Sequence, residues 1–394
     1  MADRDGAAIG LMGAMSIGIG GMVGGGIFAV LGEAVSLAHG ATVLAFLFAG
    51  LVAILTSYAY TKLSLKYQSR GGTVTFIDQA FRHNLLSGSM NFLLWLSYLV
   101  TIALYAVAFA SYARTFFPAE HAAWLKHLFI SLAILLPLLI NLVNASIVSR
   151  SETVIVLIKL ILLAVIIVAS LGFVDASRLS PARWGDTVSI IVAGMVIFVA
   201  YEGFELIANA AEDISNPEKN LPRAFYGSVI LVIILYLLIA VITVGVVPEN
   251  QLAQASDYAL AVAARPALGQ PGFTLVSIAA LLATFSAINA TLYGNARLSF
   301  ILAREGELPA RLAQGKGDNP VMGVIVTAAI SLLLANAIDL TEIAIIGSAS
   351  FLLVFFLVNL SAWRLHEVIR ANRFILLAAS LSSGLALLTL MSHT

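Results

Sequence analysis

Two carboxylates and one amine lie inside long apolar stretches of this 394-residue chain. Glu202 and Glu205 occur in AYEGFE (200–205), and Lys159 lies in VIVLIKLILL (154–163). An ionised side chain near the centre of a bilayer costs about 2.5–3.5 kcal/mol on insertion scales. These residues are therefore expected to face protein, water or a proton, which predicts ion or substrate handling. A purely structural hydrogen bond to a neighbouring helix remains an alternative for each glutamate.

Lys159 lies about 10 Å into its apolar stretch, counted from Glu152 at about 1.5 Å per residue. A buried lysine exchanges its proton after modest changes in its surroundings, so it could both occupy a cation site and carry a proton. Its long stem could instead run back toward the membrane interface. Taken alone, the residue slightly favours this snorkelling arrangement.

The first apolar stretch contains six glycines among the nine residues from Gly18 to Gly26. Each glycine loses about 0.8–1 kcal/mol of helix propensity against alanine, so a continuous helix is unfavourable here. An opened turn would leave the N–H groups of Gly25 and Gly26 at the start of a half-helix, where the dipole favours a carboxylate. Small residues at Gly20 and Gly24 also fit close helix packing, so both interpretations stay open.

The elements that must position these groups are membrane-spanning helices. The chain is 60% hydrophobic and 11% charged, whereas soluble domains carry about 25% charged residues. Crossing a hydrocarbon core of about 30 Å takes about 20 residues. Eleven apolar runs are predicted to span, at 8–32, 41–62, 86–112, 126–143, 153–173, 188–211, 224–247, 272–302, 320–338, 341–363 and 373–391.

The charged residues predict the orientation of these spans. Of the 21 lysines and arginines, fifteen fall on the side of the N-terminus and five on the other, with Lys159 inside a span. The excess of basic residues in cytoplasmic loops places the N-terminus inside and, with eleven spans, the C-terminus outside. Because 21 acidic residues balance the basic ones, no overall charge attracts nucleic acid. The absence of cysteine excludes disulfides and thiolate sites.

Interrupted helices in spans 1 and 6 are typical of two inverted repeats of five spans, with the substrate bound between the breaks. The chain predicts these repeats at 8–173 and 188–363, followed by an accessory helix at 373–391. The largest loops, at 63–85, 212–223, 248–271 and 303–319, are too short for an independent domain. We expect one all-α transmembrane domain.

Together these motifs resemble the amino acid, polyamine and organocation transporter superfamily, whose fold is the LeuT-like inverted repeat. GGGIF (24–28), YEGFE (201–205) and NPEKNLPRA (216–224) carry the resemblance, which extends through 286–294 and 306–309. The chain is most similar to archaeal-type, proton-coupled amino acid permeases of broad specificity, which carry a lysine in span 5 in the setting of Lys159.

The resemblance implies that a substrate carboxylate binds the N–H groups of Gly25 and Gly26. It implies that the substrate amino group binds the backbone carbonyls of Met22, Val199 and Glu202. It also implies that Phe204 lines or gates the side-chain pocket, and that Lys159 takes the position of sodium in sodium-coupled relatives. The implied substrate site comprises Met22, Gly24, Gly25, Gly26, Val199, Glu202, Gly203 and Phe204. The implied coupling residues are Lys159, Ser286 and Glu205.

Two features depart from the family pattern. Many members have twelve spans and eleven are predicted here, so a dimer contact or anchor that the last span provides elsewhere is not expected in this chain. Glu202 occupies a position that is often apolar in other members. It could select a cationic substrate or hold a second proton, and the sequence does not decide between them.

We expect sodium-independent, proton-coupled uptake of amino acids across the cell membrane by a rocking bundle of spans 1, 2, 6 and 7. The protein would need no cofactor other than protons as the coupling ion, would contact lipid, and would be a monomer or weak homodimer. An exchanger or facilitator of a cationic amino acid or amine is the alternative. An enzyme is not expected, because the histidines fall in loops, at span ends or at the C-terminus without metal spacing. Two broken helices in one chain also favour a carrier over a channel.

Overall fold

A computed structural model describes residues 9–69, 71–82, 84–118, 122–143, 146–314 and 320–393. Within these ranges the regular structure is helical and no β-sheet forms. The predicted cytoplasmic N-terminus, residues 1–8, lies outside the described part. The α-helices are α1 (Leu11–Met22), α2 (Gly26–Ala38), α3 (Thr42–Lys66), α4 (Thr73–Phe81), α5 (Leu85–Arg114), α6 (Ala122–Val143), α7 (Ser146–Ser170), α8 (Thr187–Val196), α9 (Leu206–Asn209), α10 (Pro217–Val246), α11 (Glu249–Gln254), α12 (Ala259–Arg304), α13 (Val321–Ala337), α14 (Leu340–Arg364) and α15 (Arg373–His393).

Most of the predicted spans form helices of membrane-crossing length. Nine helical segments of the described chain are long and apolar enough to cross, and α1 with α2 makes a tenth that bends by 45°. The run predicted at 320–338 forms α13, an apolar helix of 17 residues. At about 1.5 Å per residue it is about 26 Å long, slightly less than a hydrocarbon core of about 30 Å. A multi-pass helical protein is confirmed, whereas the count of eleven spans stays a prediction.

The prediction of loops is wrong for two segments. The loop predicted at 63–85 contains α4, and the one predicted at 248–271 contains α11, a 3-10 turn at Ser256–Tyr258 and the first part of α12. Consequently α12 begins at Ala259 rather than at 272, and it is kinked at Gly269 with φ 63°. These short segments fold as helices because they bury apolar side chains against the bundle, as Val74, Phe76 and Ile77 do in α4.

The helices pack in two groups that meet at the broken spans. In the first group α3 and α10 lie along each other, and α1 and α8 pack on this pair. In the second group α5 packs against α12, α6, α14 and α13, while α7 packs against α12 and α1. The breaks in α1–α2 and α8–α9 are therefore enclosed by α3, α5, α10, α12 and α14.

The accessory helix α15 is attached to α14 of the second group and to α3 of the first by a polar junction. Asn359 of α14 is fully buried, and its Nδ2 donates to Thr56 Oγ1 at 3.0 Å, to the Ala379 carbonyl at 3.1 Å and to Ser383 Oγ at 3.2 Å. One amide thereby joins α3, α14 and α15.

Candidate functional site

The first break separates two half-helices in the glycine-rich stretch. Helix α1 ends at Met22, residues 23–25 form turns, and α2 begins at Gly26. No side chain caps the N-terminus of α2. Its first N–H groups are orphan donors at the positive end of a helix dipole. The predicted interruption of span 1 is confirmed.

The second break lies in span 6 and includes both glutamates. Helix α8 ends at Val196, a 3-10 turn runs to Tyr201, and Glu202 is extended with φ −63° and ψ 144°. Gly203 has φ 121°, a backbone conformation that side-chain-bearing residues rarely adopt. Glycine is therefore required where the chain turns into α9.

The two breaks touch backbone to backbone. A β-carbon added at Gly21 would lie 2.7 Å from the Cα of Gly203, and one added at Gly26 would lie 2.7 Å from the Cα of Ala200. Both distances are far shorter than normal carbon contacts. The glycines thus serve the two purposes that the sequence left open, since the same stretch is unwound and closely packed.

Tyr236 of α10 joins the two breaks through its hydroxyl. Its Oη lies 2.6 Å from the carbonyl oxygen of Met22 and 3.0 Å from that of Ala200. The single hydroxyl proton is shared by two carbonyls, which each keep capacity to accept from another donor. The sequence analysis missed Tyr236, because one tyrosine in the apolar run 224–247 resembles any aromatic core residue.

Glu202 and Glu205 are both buried and bonded to tyrosines of α5. Glu202 is 3% exposed and accepts from the Tyr105 hydroxyl at 3.2 Å. Glu205 is 0% exposed, accepts from the Tyr98 hydroxyl at 3.2 Å and accepts from the Gly203 N–H at 2.7 Å. Both glutamates therefore face protein rather than lipid, as predicted.

The spacing of the α5 tyrosines offered a signal that the sequence analysis did not use. Tyr98, Tyr105 and Tyr112 recur every seven residues, which places them on one face of a helix. A stripe of hydroxyl donors on that face would have predicted partners for buried acceptors. Tyr112 follows the same pattern, since its hydroxyl donates to the Phe28 carbonyl of α2 at 3.4 Å.

Tyr105 also covers the predicted carboxylate site. Its ring lies so close to Gly25 that a β-carbon at that position would overlap the ring. On another side of the turn, a β-carbon at Gly24 would lie 2.7 Å from the Ala287 Cβ of α12. The N-terminus of α2 is therefore enclosed by α5 and α12.

Lys159 lies on the protein-facing side of α7. It is 2% exposed, whereas its neighbours Leu157, Ile158 and Ile161 are 57%, 43% and 53% exposed. Helix α7 packs against α1 and α12, and Ser286 is half-buried on α12 next to the Ala287 that contacts Gly24. Burial of the whole side chain disfavours snorkelling, while the coupling role of Lys159, Ser286 and Glu205 stays a prediction.

Val199 and Phe204 occupy the two ends of the second break. The Val199 N–H donates to Ser348 Oγ of α14 at 2.9 Å, and its carbonyl accepts from the Glu202 N–H at 3.3 Å. Phe204 is fully buried between the rings of Tyr60 and Phe355, at centroid distances of 5.5 and 5.3 Å. Phe204 thus belongs to an aromatic cluster with α3 and α14, and its predicted gating role stays a prediction.

Comparisons with known proteins place the chain among membrane transporters. A family model described as "Amino acid permease" matches residues 9–390. The uncharacterized protein MJ0609 of Methanocaldococcus jannaschii is 35% identical over 373 residues, covering 92% of this chain and 84% of the relative. The inner membrane transport protein YbaT of Escherichia coli is 34% identical over 376 residues, covering 95% and 87%.

A solved structure shows the same fold. Mhp1, a nucleobase-cation-symport-1 family transporter, superposes with a TM-score of 0.60 at 14% identity, covering 99% of this chain and 93% of Mhp1. At this identity the similarity concerns the fold alone. The LeuT-like architecture with two discontinuous helices is thereby confirmed, whereas the repeat boundaries at 8–173 and 188–363 stay predictions.

Proposed function

Because the chain belongs to the amino acid permease family of membrane transporters, we propose that it carries amino acids across a cell membrane together with protons and independently of sodium. The N-terminus would be cytoplasmic and the C-terminus outside. One observation carries the proposal. Two unwound segments meet at the uncapped N-terminus of α2, where a helix end suited to an anion adjoins the backbone carbonyls of the second break, and these are the two halves of a zwitterion site.

The substrate carboxylate would bind the N–H groups of Gly25 and Gly26. The ring of Tyr105 lies against Gly25, so this ring must move when the carboxylate arrives. Because the Tyr105 hydroxyl donates to Glu202, that movement would also release the glutamate. Substrate binding would thus be linked to a rearrangement of α5 relative to the second break.

The substrate amino group would donate hydrogen bonds to nearby carbonyl oxygens that can still accept them. Tyr236 already donates to Met22 and Ala200, and a carbonyl oxygen has a second lone pair for an ammonium donor. The carbonyls of Val199 and Glu202 would complete the site. This arrangement recognises only the atoms that all amino acids share, which suits broad specificity.

Proton coupling would depend on Lys159. Its burial at 2% and the packing of α7 on α1 and α12 support this role, because a lysine held inside protein can change charge as the break rearranges. In that scheme the lysine supplies the positive charge that a bound sodium ion would supply in a sodium-coupled carrier. We expect no other cofactor.

The deciding experiment is uptake of labelled amino acids into proteoliposomes, with and without an imposed pH gradient. We expect gradient-driven uptake by the wild type and its loss in Lys159→Ala, because the variant cannot hold the coupling charge. Lys219→Ala is the matched control, since this lysine is exposed in the first turn of α10. Undiminished gradient-driven uptake by Lys159→Ala would discard the coupling role.

The alternative is exchange or facilitated transport of a cationic amino acid or amine. The buried carboxyl of Glu202 at the break supports it, because a carboxylate there could pair with a substrate cation. Glu202→Gln keeps the shape and a hydrogen bond to Tyr105 but removes the charge. The alternative predicts that this variant loses transport of cationic substrates while it transports neutral ones as well as the wild type does. Unchanged transport of cationic substrates would contradict the alternative.

A further inference from the structure

Several buried side chains in the second helix group carry polar atoms without a partner in the described structure, and three of them lie on neighbouring helices. These three are Trp95 of α5, Asn295 of α12 and Thr327 of α13, which are 5%, 1% and 0% exposed. The atoms concerned are the indole Nε1, both amide atoms of Asn295 and the threonine Oγ1. None of them belongs to the breaks or to the predicted coupling residues.

The packing of α13 brings Thr327 between the other two helices. On one side Ser331 donates to the Leu99 carbonyl of α5 at 3.0 Å. On the other side a β-carbon at Gly323 would lie 2.9 Å from the Ala296 carbonyl of α12. Thr327 is four residues from both Gly323 and Ser331, so it lies on the same face, one turn from each contact.

The same contacts set the level of Trp95 and Asn295. Trp95 lies one turn before Leu99 on α5, as Thr327 lies one turn before Ser331 on α13. Gly323 contacts Ser299 as well as Ala296 on α12, and Asn295 lies one turn from Ser299. Because α12 runs opposite to α13, the step from Gly323 to Thr327 matches the step from Ser299 to Asn295.

An aromatic pair independently aligns α5 with α12. The rings of Phe109 and Phe285 lie 6.4 Å apart. Trp95 precedes Phe109 by fourteen residues on α5, and Ser299 follows Phe285 by fourteen residues on α12. Both therefore lie about 21 Å from the aromatic pair, toward the predicted cytoplasmic side, at about 1.5 Å per residue. The two registers agree within a turn, so the four partnerless atoms lie at about the same level of the junction of α5, α12 and α13.

The chemistry of these atoms selects a small neutral ligand. An indole N–H only donates, an amide both donates and accepts, and a hydroxyl does either. The ligand must therefore accept and donate hydrogen bonds, and the N–H groups disfavour a metal cation. Water has this capacity, and buried waters typically make about three hydrogen bonds to such groups. Unpaired polar atoms inside a membrane protein are costly, which favours retention of the water.

We propose that Trp95, Asn295 and Thr327 bind ordered water at the junction of α5, α12 and α13. The site continues a polar stripe of α5. One turn before Trp95, the Asn91 amide donates to Glu307 at 3.1 Å and to Asp78 at 3.4 Å. Internal hydration would thus extend inward from those carboxylates to the centre of the helix group that does not rock.

Radiolytic hydroxyl-radical labelling with mass spectrometry tests the proposal, because radicals form from bound water and oxidise the side chain beside it. We expect Trp95 to be oxidised despite its burial. In Asn295→Leu and in Thr327→Val the rate at Trp95 should fall roughly threefold or more, since each variant removes hydrogen bonds that hold the water. Asn250→Leu, at an exposed position of α11, is the control for the Asn to Leu change and should leave the rate unchanged.

A Trp95 oxidation rate that is equal in the wild type and both variants, or higher in the variants, would overturn the water site. Thr327→Val is nearly isosteric and keeps the test informative if Asn295→Leu folds poorly. The measurement needs no substrate and no transport. Its failure is therefore distinguishable from a failure of the proposed transport function.

Discussion

Replacing Gly203 by alanine tests whether close approach of the two breaks is needed for transport. The new β-carbon would lie 2.6 Å from both the Gly21 Cα and the Met22 N, and closer still to the Gly21 carbonyl carbon. These are backbone atoms, so no side chain can rotate away to make room. Gly203 also has φ 121°, so alanine would be strained even without the overlap.

The structure allows a rough magnitude for this substitution. A side-chain-bearing residue in such a backbone region costs about 1–3 kcal/mol. Forcing an extra carbon into a packed interior costs about 1–3 kcal/mol more. The sum, roughly 2–6 kcal/mol, would lower the population of the state with touching breaks between about thirty-fold and about twenty-thousand-fold.

Two assays report this effect in the purified variant. Thermal unfolding at one scan rate should show a lower apparent melting temperature, and initial uptake in proteoliposomes should fall at least about thirty-fold. Gly294→Ala is the matched control, because this glycine is helical in α12 and no atom lies within 4 Å of its added β-carbon. It should melt at the wild-type temperature or above. Wild-type melting and uptake in Gly203→Ala would refute the reasoning.

Two further substitutions test contacts that the structure revealed. Tyr236→Phe removes the hydroxyl that donates to the carbonyls of Met22 and Ala200. The loss of this buried hydrogen bond should destabilise the protein by about 1–3 kcal/mol and change the KM for the substrate. An unchanged melting temperature and an unchanged KM would contradict this expectation. Asn359→Leu removes the amide that joins α15 to α3 and α14. We expect the free energy of unfolding to fall by about 0.6–1.7 kcal/mol, measured by thermal unfolding, while transport is retained. Abolished transport in a folded variant would instead assign α15 more than a structural role.

The sequence predicted the parts of the fold that depend on local composition. Apolar runs of sufficient length must cross or be buried, whatever their neighbours are, so most spans were located within a few residues. Glycine weakens a helix wherever it occurs, which is why the break near Gly24 was predictable. A carboxylate in an apolar run must find a partner, and Glu202 and Glu205 did so on α5.

Short helices escaped the prediction for a physical reason. The segment that forms α4 has nine residues, far fewer than a span needs, and its helix is stabilised by packing rather than by its own propensity. The same holds for α11 and for the part of α12 before Gly269. Hydropathy alone cannot separate such a segment from a loop.

The amino-acid sequence by itself determined that this is a helical membrane protein, where its helices are weak and which ionisable groups lie among apolar residues. Only the tertiary structure decided that Gly21 meets Gly203, that Tyr236 joins the carbonyls of Met22 and Ala200, and that Tyr105 covers Gly25. Composition and propensity act over one or two helical turns. Contacts between positions about 35 to 215 residues apart depend on the packing of whole helices, which fixes distances that no local pattern encodes.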